Sequence, residues 1–298
     1  MKKCLLWGTG RIFNAYANMV KYHEEHGHFA VVGVTSNIDV YDRRRGYTCI
    51  AKSDLKEIEY DFVIMMADGV VLKEIRTELL ELGVAPEKIF TYKILSMEDF
   101  SIERLENLKK NPPTILSNNC WGGITYHSLD LEFTSPLINM FVRDGSYLKL
   151  LSNLRYYMET PLEDGGTAVN PVTGEVYPLG KCGDVTLHFN HASSFEEANR
   201  DWEKRKKRIN WDNLFVMMYT ESKKSADAFD LLPYEKKICF VPFNSDKASH
   251  RYVELCEKKG MEDVPFWAIV NGMASGTYPY YDVVDLVENA NVRKIVEI

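Results

Sequence analysis

Seven consecutive residues, Ser117-Asn118-Asn119-Cys120-Trp121-Gly122-Gly123, bring together two amides, a thiol, an indole and two glycines. The glycines permit a sharp turn or a close backbone approach to a ligand. Cys120 is a candidate nucleophile. Asn118 and Asn119 can contact hydroxyls, and the Trp121 ring can stack on a sugar. A second group lies near residue 190. His188 and His191 flank an asparagine at the end of an alternating run, Asp184–His191, and either can serve as base to Cys120. Glu221 follows the apolar run Leu214–Tyr219, where it can orient the base or act as an acid. The structural readings stay open for each: a histidine in a strand or a lone cysteine is commonly a packing residue.

Arg205 is misplaced in its helix. Phe195, Ala198, Trp202 and Ile209 recur at helical spacing, and Arg205 falls on the same stripe. A buried guanidinium needs a carboxylate, carbonyls or an anionic ligand. Arg208 lies at the edge of that face, so an ion pair and an anion site stand as alternatives for both. No second ligand cluster accompanies the histidines, and none of the six cysteines forms a C-x-x-C pair, so no metal site is expected.

Near the N-terminus, the apolar run Lys3–Trp7 leads into Gly8-Thr9-Gly10 and then a helical pattern over Arg11–Glu25. Strand, glycine turn, helix and strand is the order that a phosphate-binding turn requires. Gly8 and Gly10 are the candidate cofactor-binding residues, for a nucleotide or sugar nucleotide. The G-x-G-x-x-G fingerprint is incomplete. Phe13 holds the third glycine's place, and Ser36-Asn37 stands where a ribose-binding acid belongs, with Asp39 slightly beyond. Asp42–Arg45 is read as a solvated loop.

These residues need elements to hold them. Strands are expected at Lys3–Trp7, Phe29–Thr35, Asp61–Ala67 and Ile89–Tyr92, with helices over Arg11–Glu25, Val71–Leu82 and Phe100–Asn111. Pro112-Pro113 marks a boundary between domains 1–112 and 113–298. Beyond it, strands are expected at Thr114–Cys120, Asp184–Phe189, Leu214–Tyr219 and Lys237–Phe243. Helices are expected at Leu137–Phe141, Tyr147–Met158, Phe195–Ile209, Ser225–Leu231 and Ala248–Lys258. Glu163–Gly174 is a loop or hairpin, and a Tyr-rich tail (Tyr278, Tyr280, Tyr281) closes the chain. The fold class is α/β in two domains, each a mostly parallel sheet flanked by helices, the first Rossmann-like. If the second-domain strands are parallel, Asn118–Cys120, His188, His191, Glu221, Asn244 and Asp246 lie along one carboxyl edge.

The chain has 298 residues, with 45% hydrophobic and 27% charged, and a formal net charge of −7. That acidity argues against nonspecific nucleic-acid binding. No apolar run has the length to insert in a bilayer, and the N-terminal run lacks a signal-peptide cleavage site, so a cytoplasmic protein is expected. The partner classes are a small-molecule or glycan substrate, with a homo-oligomer or polysaccharide-assembly partners open.

The second half resembles the DUF1919 family of bacterial exopolysaccharide- or capsule-associated proteins. The resemblance is carried by Ser117–Gly123, Ser135-Pro136, His188 to His191, Trp202, Arg205 and Arg208-Ile209-Asn210. It implies a polysaccharide context and supplies no catalytic residues. The leading expectation is a transferase acting on sugar nucleotides or glycans. A noncatalytic nucleotide- or glycan-binding protein is the alternative, and an NAD-dependent oxidoreductase a weaker one.

Overall fold

The computed structural model describes residues 1–37, 43–97, 100–253, 264–277 and 281–290. Asp39, Asp42, Cys256, Tyr278 and Tyr280 lie outside them. The chain divides into two compact α/β units, Met1–Lys110 and Asn111–Ile298, each with a parallel sheet flanked by helices.

Unit 1 runs β1 (Lys3–Trp7), α1 (Arg11–Glu25), β2 (Ala30–Thr35), a two-residue ladder of β3 (Arg43–Arg44) and β4 (Tyr47–Thr48), β5 (Phe62–Met65), α2 (Gly69–Glu81), β6 (Ile89–Thr91) and α3 (Ile102–Lys110). The sheet order is β2-β1-β5-β6, all parallel. Trp7, Val63 and Met65 are fully buried, which is why these runs are apolar rather than alternating. The chain winds from β1 to β2 on one side and from β5 to β6 on the other. A crevice therefore opens beyond the carboxyl ends of β1 and β5, where α1 and α2 begin on either side.

Unit 2 begins with β7 (Thr114–Ser117) and α4 (Trp121–Ser128), followed by α5 (Asp144–Ser152) and α6 (Leu154–Glu159). Three strands follow, β8 (Leu162–Val169), β9 (Val176–Cys182) and β10 (Val185–His188). After them come α7 (Phe195–Lys206), β11 (Leu214–Tyr219), α8 (Lys223–Asp230), β12 (Lys237–Val241), β13 (His250–Tyr252), α9 (Phe266–Ala274) and α10 (Val283–Asn289). The parallel sheet is ordered β13-β12-β11-β7. Strand alternation sorts its side chains. Leu116, Val216, Met218, Cys239 and Val241 join a core with Tyr147, Trp202 and Phe229. Phe215 and Phe240 point the other way, onto Trp121 of α4, with ring centroids 5.9 and 6.1 Å away.

Several expectations are corrected. The strand of His188 is not in the parallel sheet. β8, β9 and β10 form their own antiparallel sheet, because Glu163–Gly174 lies in a long hairpin whose partner strand then pairs with β10. Leu137–Phe141 is not helical. Phe141 pairs strand-wise with His188, while Arg205 and Arg208 hold the carbonyls of Ile138 and Phe133. Tyr147–Met158 breaks at Asn153, where Ser152 Oγ donates to the Lys149 carbonyl and Asn153 leaves helical geometry. In place of a helix from Ala248, His250–Tyr252 adds a strand to β12. The remainder of that expected helix lies outside the described residues. The strand from Thr114 stops at Ser117 rather than Cys120, because Ser117 Oγ turns back to the Gly122 amide.

Candidate functional site

In unit 1, the crevice at the ends of β1 and β5 has a volume of about 390 Å³. It is lined by Trp7 to Ile12, Ser36, Asn37, Met66 to Asp68, Val71 and Ile75. Gly8 adopts φ +123°, and a Cβ there would sit 2.7 Å from the Met66 carbonyl oxygen. Only glycine lets the β1 and β5 ends approach this closely. Gly10 is the N-cap of α1. It supplies no side-chain cap, and no acidic residue stands in the first turn. The first amides of α1 thus face the crevice mouth without a side-chain partner from their own cap, the arrangement that accepts a phosphate. Arg11 stands at the rim, paired with Asp68 at 2.8 Å. Phe13, in the third glycine's place, is buried edge-on to Tyr47.

A smaller cavity of about 220 Å³ shares Thr9, Ser36 and Asn37 with the first and extends along Cys49 to Lys52. Thr35 lines it. The residue is 2% exposed, and its Oγ1 has no partner among the described residues. An orphaned buried hydroxyl beside a cavity marks a place for a water or a ligand polar atom. At the end of β2, Asn37 Oδ1 accepts from Trp7 Nε1 at 3.0 Å. An amide thus stands where a ribose-binding carboxylate was sought.

In unit 2, the residues that follow β7 are organised by their own hydrogen bonds. Asn118 holds the Tyr219 backbone through both amide atoms, at 3.0 and 3.1 Å. Asn119 Oδ1 accepts from the Trp121 amide and its Nδ2 donates to Asn271 Oδ1. Both side chains are buried. They shape the turn, and their polar atoms are already engaged. Trp121, expected to stack on a sugar, is fully buried against the sheet. That placement follows from its being the first residue of α4.

Cys120 differs from these neighbours. It is half-buried at the N-cap of α4, and its Sγ lies 3.7 Å from His191 Nε2. Two connections bring β10 to this point from its separate sheet. Phe141 exchanges backbone hydrogen bonds with His188, and the next residue, Val142, donates to the Asn118 carbonyl. The chain at 141–142 thereby joins the antiparallel sheet to the end of β7. His191 follows, fixed by the Ala192 amide bonding back to Phe189 and by the start of α7. There Ser194 caps Glu197, and the Glu197 carboxylate accepts from the Ser193 amide.

His188 is not part of the pair. It is buried, stacked on Phe141 at 4.3 Å, with Nδ1 3.3 Å from the Tyr177 hydroxyl. Burial first, and then the charge of Arg143, pull its pKa down, so it stays neutral. Glu221 is exposed, and no hydrogen bond joins it to either histidine among the described residues. The sequence reading missed Tyr219 and Asp144. Burial, and after it the nearby carboxylates of Asp144 and Glu221, push the Tyr219 hydroxyl up. The Thr220 hydroxyl donates to Asp144 at 2.6 Å. Aspartate at a helix start was visible in Arg143-Asp144, but its partner lies 76 residues away. Burial also pushes the Cys120 thiol up, so it rests as a thiol.

Arg205 donates to Asp201 at 2.9 Å and to the Ile138 carbonyl at 2.9 Å. Arg208 reaches Glu132 and the Phe133 carbonyl. The half-buried charge on the α7 stripe is thus met by a carboxylate and a carbonyl, and both arginines brace the 132–138 segment. Asn244 and Asp246 are exposed beyond β12. No helix among the described residues is long and apolar enough to cross a membrane.

Comparison with known proteins matches residues 1–90 to the family described as "C2185-like, N-terminal". Over 181 residues the chain is 34% identical to an uncharacterized protein of Haemophilus influenzae strain Rd, covering 59% of this chain and 82% of that protein. Residues 91–291 match "Domain of unknown function (DUF1919)", which spans the Cys120–His191 pair and the parallel sheet that carries it, and the chain belongs to the DUF1919 family.

Proposed function

We propose that unit 1 binds a nucleotide or nucleotide sugar, and that the protein is a transferase-type enzyme acting on sugar nucleotides or glycans in bacterial surface-polysaccharide assembly. The observation that carries this reading is the crevice at the carboxyl ends of β1 and β5. It joins a close glycine turn, the side-chain-uncapped start of α1, a cation at the rim and the unpartnered Thr35 hydroxyl in the adjoining cavity. A phosphate fits the helix start, and a nucleoside fits along Ser36, Asn37 and the smaller cavity. The amide at Asn37 speaks against the NAD reading, which calls for an acid at that strand end.

The test is calorimetric titration with UDP, CDP, GDP and UDP-glucose, alongside NADH. One of the nucleoside diphosphates or UDP-glucose is expected to bind, and a ligand at roughly 100 times its Kd adds about 2.7 kcal/mol to stability. Gly10→Asp places a carboxylate where the phosphate would lie. It is expected to abolish that binding without unfolding the chain, since no atom lies within 4 Å of a Cβ there and aspartate caps helices well. Absence of binding by every nucleotide tested would sink the reading.

A noncatalytic binding role is the second reading. It is favoured by the un-ionised Cys120 thiol and by the lack of a hydrogen bond between Glu221 and either histidine. Full retention of polysaccharide production by Cys120→Ala and His191→Ala in a complementation assay would select it.

A further inference from the structure

Among the described cysteines, Cys120 alone has an imidazole nitrogen within hydrogen-bonding distance. Cys4 and Cys182 donate to backbone carbonyls, Cys239 is fully buried, and Cys49 lies in unit 1 beside the smaller cavity. Cys120 is half-buried and His191 is exposed, so a reactant can reach both. His191 is held by a short, well-capped connection between β10 and α7. Asn190, next to it, keeps a buried Oδ1 without a partner among the described residues. Asn118, two residues before Cys120, holds the Tyr219 backbone, and the hydroxyl of the next residue, Thr220, donates to Asp144, so polar groups of β11's end lie along the same chain turn.

We propose that Cys120 and His191 form a thiol–imidazole pair that carries an acyl group from an activated ester or thioester to a hydroxyl acceptor. This inference rests on the transferase reading above and gives it a reaction class. The chemistry favours acyl transfer over direct glycosyl or alkyl transfer. A thioester forms readily and is cleaved readily by a second nucleophile, whereas a thioether on Cys120 would be a dead end. The resting thiol needs a base at the moment of attack, and His191 Nε2 is placed to be one.

In the first half-reaction, Sγ adds to the carbonyl carbon while its proton passes to Nε2. The bond from that carbon to the leaving oxygen or sulfur then breaks, and the leaving group takes the proton from His191. In the second half-reaction, the acceptor hydroxyl adds to the thioester and gives its proton to Nε2. The carbon–sulfur bond breaks, and Cys120 recovers the proton. The acyl group has moved from donor to acceptor with no change of oxidation state.

The experiment treats the full chain with p-nitrophenyl acetate at neutral pH and follows nitrophenolate release, with peptide mapping of the acetylated protein. One acetyl group is expected on the Cys120 peptide, absent in Cys120→Ala. The acylation rate is expected to fall roughly 100-fold in both His191→Ala and His191→Gln, the low end of general-base contributions. Circular dichroism and melting of each variant separate loss of reaction from loss of fold. Iodoacetamide alkylation of the Cys120 peptide checks that the thiol remains accessible in each variant. Acetylation confined to other residues, or a Cys120 rate unchanged by both His191 substitutions, overturns the proposal. Nucleotide titration of the same samples keeps the two readings apart. Binding without Cys120 acylation sinks this inference alone, and acylation without binding sinks the unit 1 assignment alone.

Discussion

His23 illustrates how neighbours fix the state of a residue. Its Nε2 faces the Leu95 carbonyl at 2.9 Å, so Nε2 carries the proton, and in the neutral ring Nδ1 must accept. Its partner 2.7 Å away is His28 Nδ1, which therefore donates. Burial, and after it the nearby His28 and His26 charges, pull the His23 pKa down against the Leu95 contact. The folded pKa lies below the unfolded value of about 6.5. This contribution to stability is therefore complete above that pH and is lost as pH falls through the folded value. Melting of unit 1 at pH 7.5 and pH 5 is expected to show acid destabilisation, smaller in His23→Gln. An equal pH response in both would contradict the assignment. At this scale the sequence showed which residue types could do chemistry but not which partners they meet. Arg205 was legible as a charge on an apolar stripe. Asp201, four residues earlier on the same helix, is a local partner, whereas the Ile138 carbonyl that completes the site was not legible because it is 67 residues away.

At the scale of elements, α7 is the clearest case of a local signal with a distant consequence. Ser194-Phe195-Glu196-Glu197 has the four-letter pattern of a capping box, and in the fold Ser194 Oγ accepts from the Glu197 amide while the Glu197 carboxylate takes the Ser193 amide. In the fold it fixes the connection that carries His191. Ser194→Ala is expected to cost about 1 kcal/mol and to slow Cys120 acylation along with it, measured by urea unfolding and by acetylation of the same preparation. A stability loss with an unchanged acylation rate would separate the cap from the pair. Gly122 makes the matching point for α4. A Cβ there would lie 2.7 Å from Ser117 Oγ and 3.1 Å from Ile115 Cγ2, so the turn holding Cys120 requires a residue without one. The elements misread from sequence failed where long-range pairing overrode local pattern. Leu137–Phe141 was drawn into contact with β10, and His250–Tyr252 was drawn onto the free edge of β12.

The whole chain divides into two compact units, each with its own parallel sheet and buried core. Two unfolding transitions are expected in calorimetry. A bound nucleotide should raise the one belonging to unit 1 and leave the other in place, and a single transition shifted as a whole would argue against independent units. The sheets also differ in topology. The unit 1 sheet winds in both directions from β1, which opens a crevice, whereas β7, β11, β12 and β13 of unit 2 add in one direction. The unit 2 candidate site forms instead where a second, antiparallel sheet meets the end of β7.

The sequence by itself determined the α/β class, the glycine turn after β1, the strands of the unit 1 sheet, three of the four strands of the unit 2 parallel sheet (β7, β11 and β12) and the residue types at their ends. Those signals are local: apolar runs, glycine punctuation and caps act within a few residues. Only the tertiary structure decided that Trp121 is core, that Asn118 and Asn119 are spent on backbone and turn contacts, and that His191 rather than His188 meets Cys120. The sequence put His188 in the strand and His191 just past its expected end near Phe189, with either open as the base. The chain leaves the strand after His188, and the backbone bonds of Phe141 and Val142, set by contacts dozens of residues apart, carry its end to the thiol.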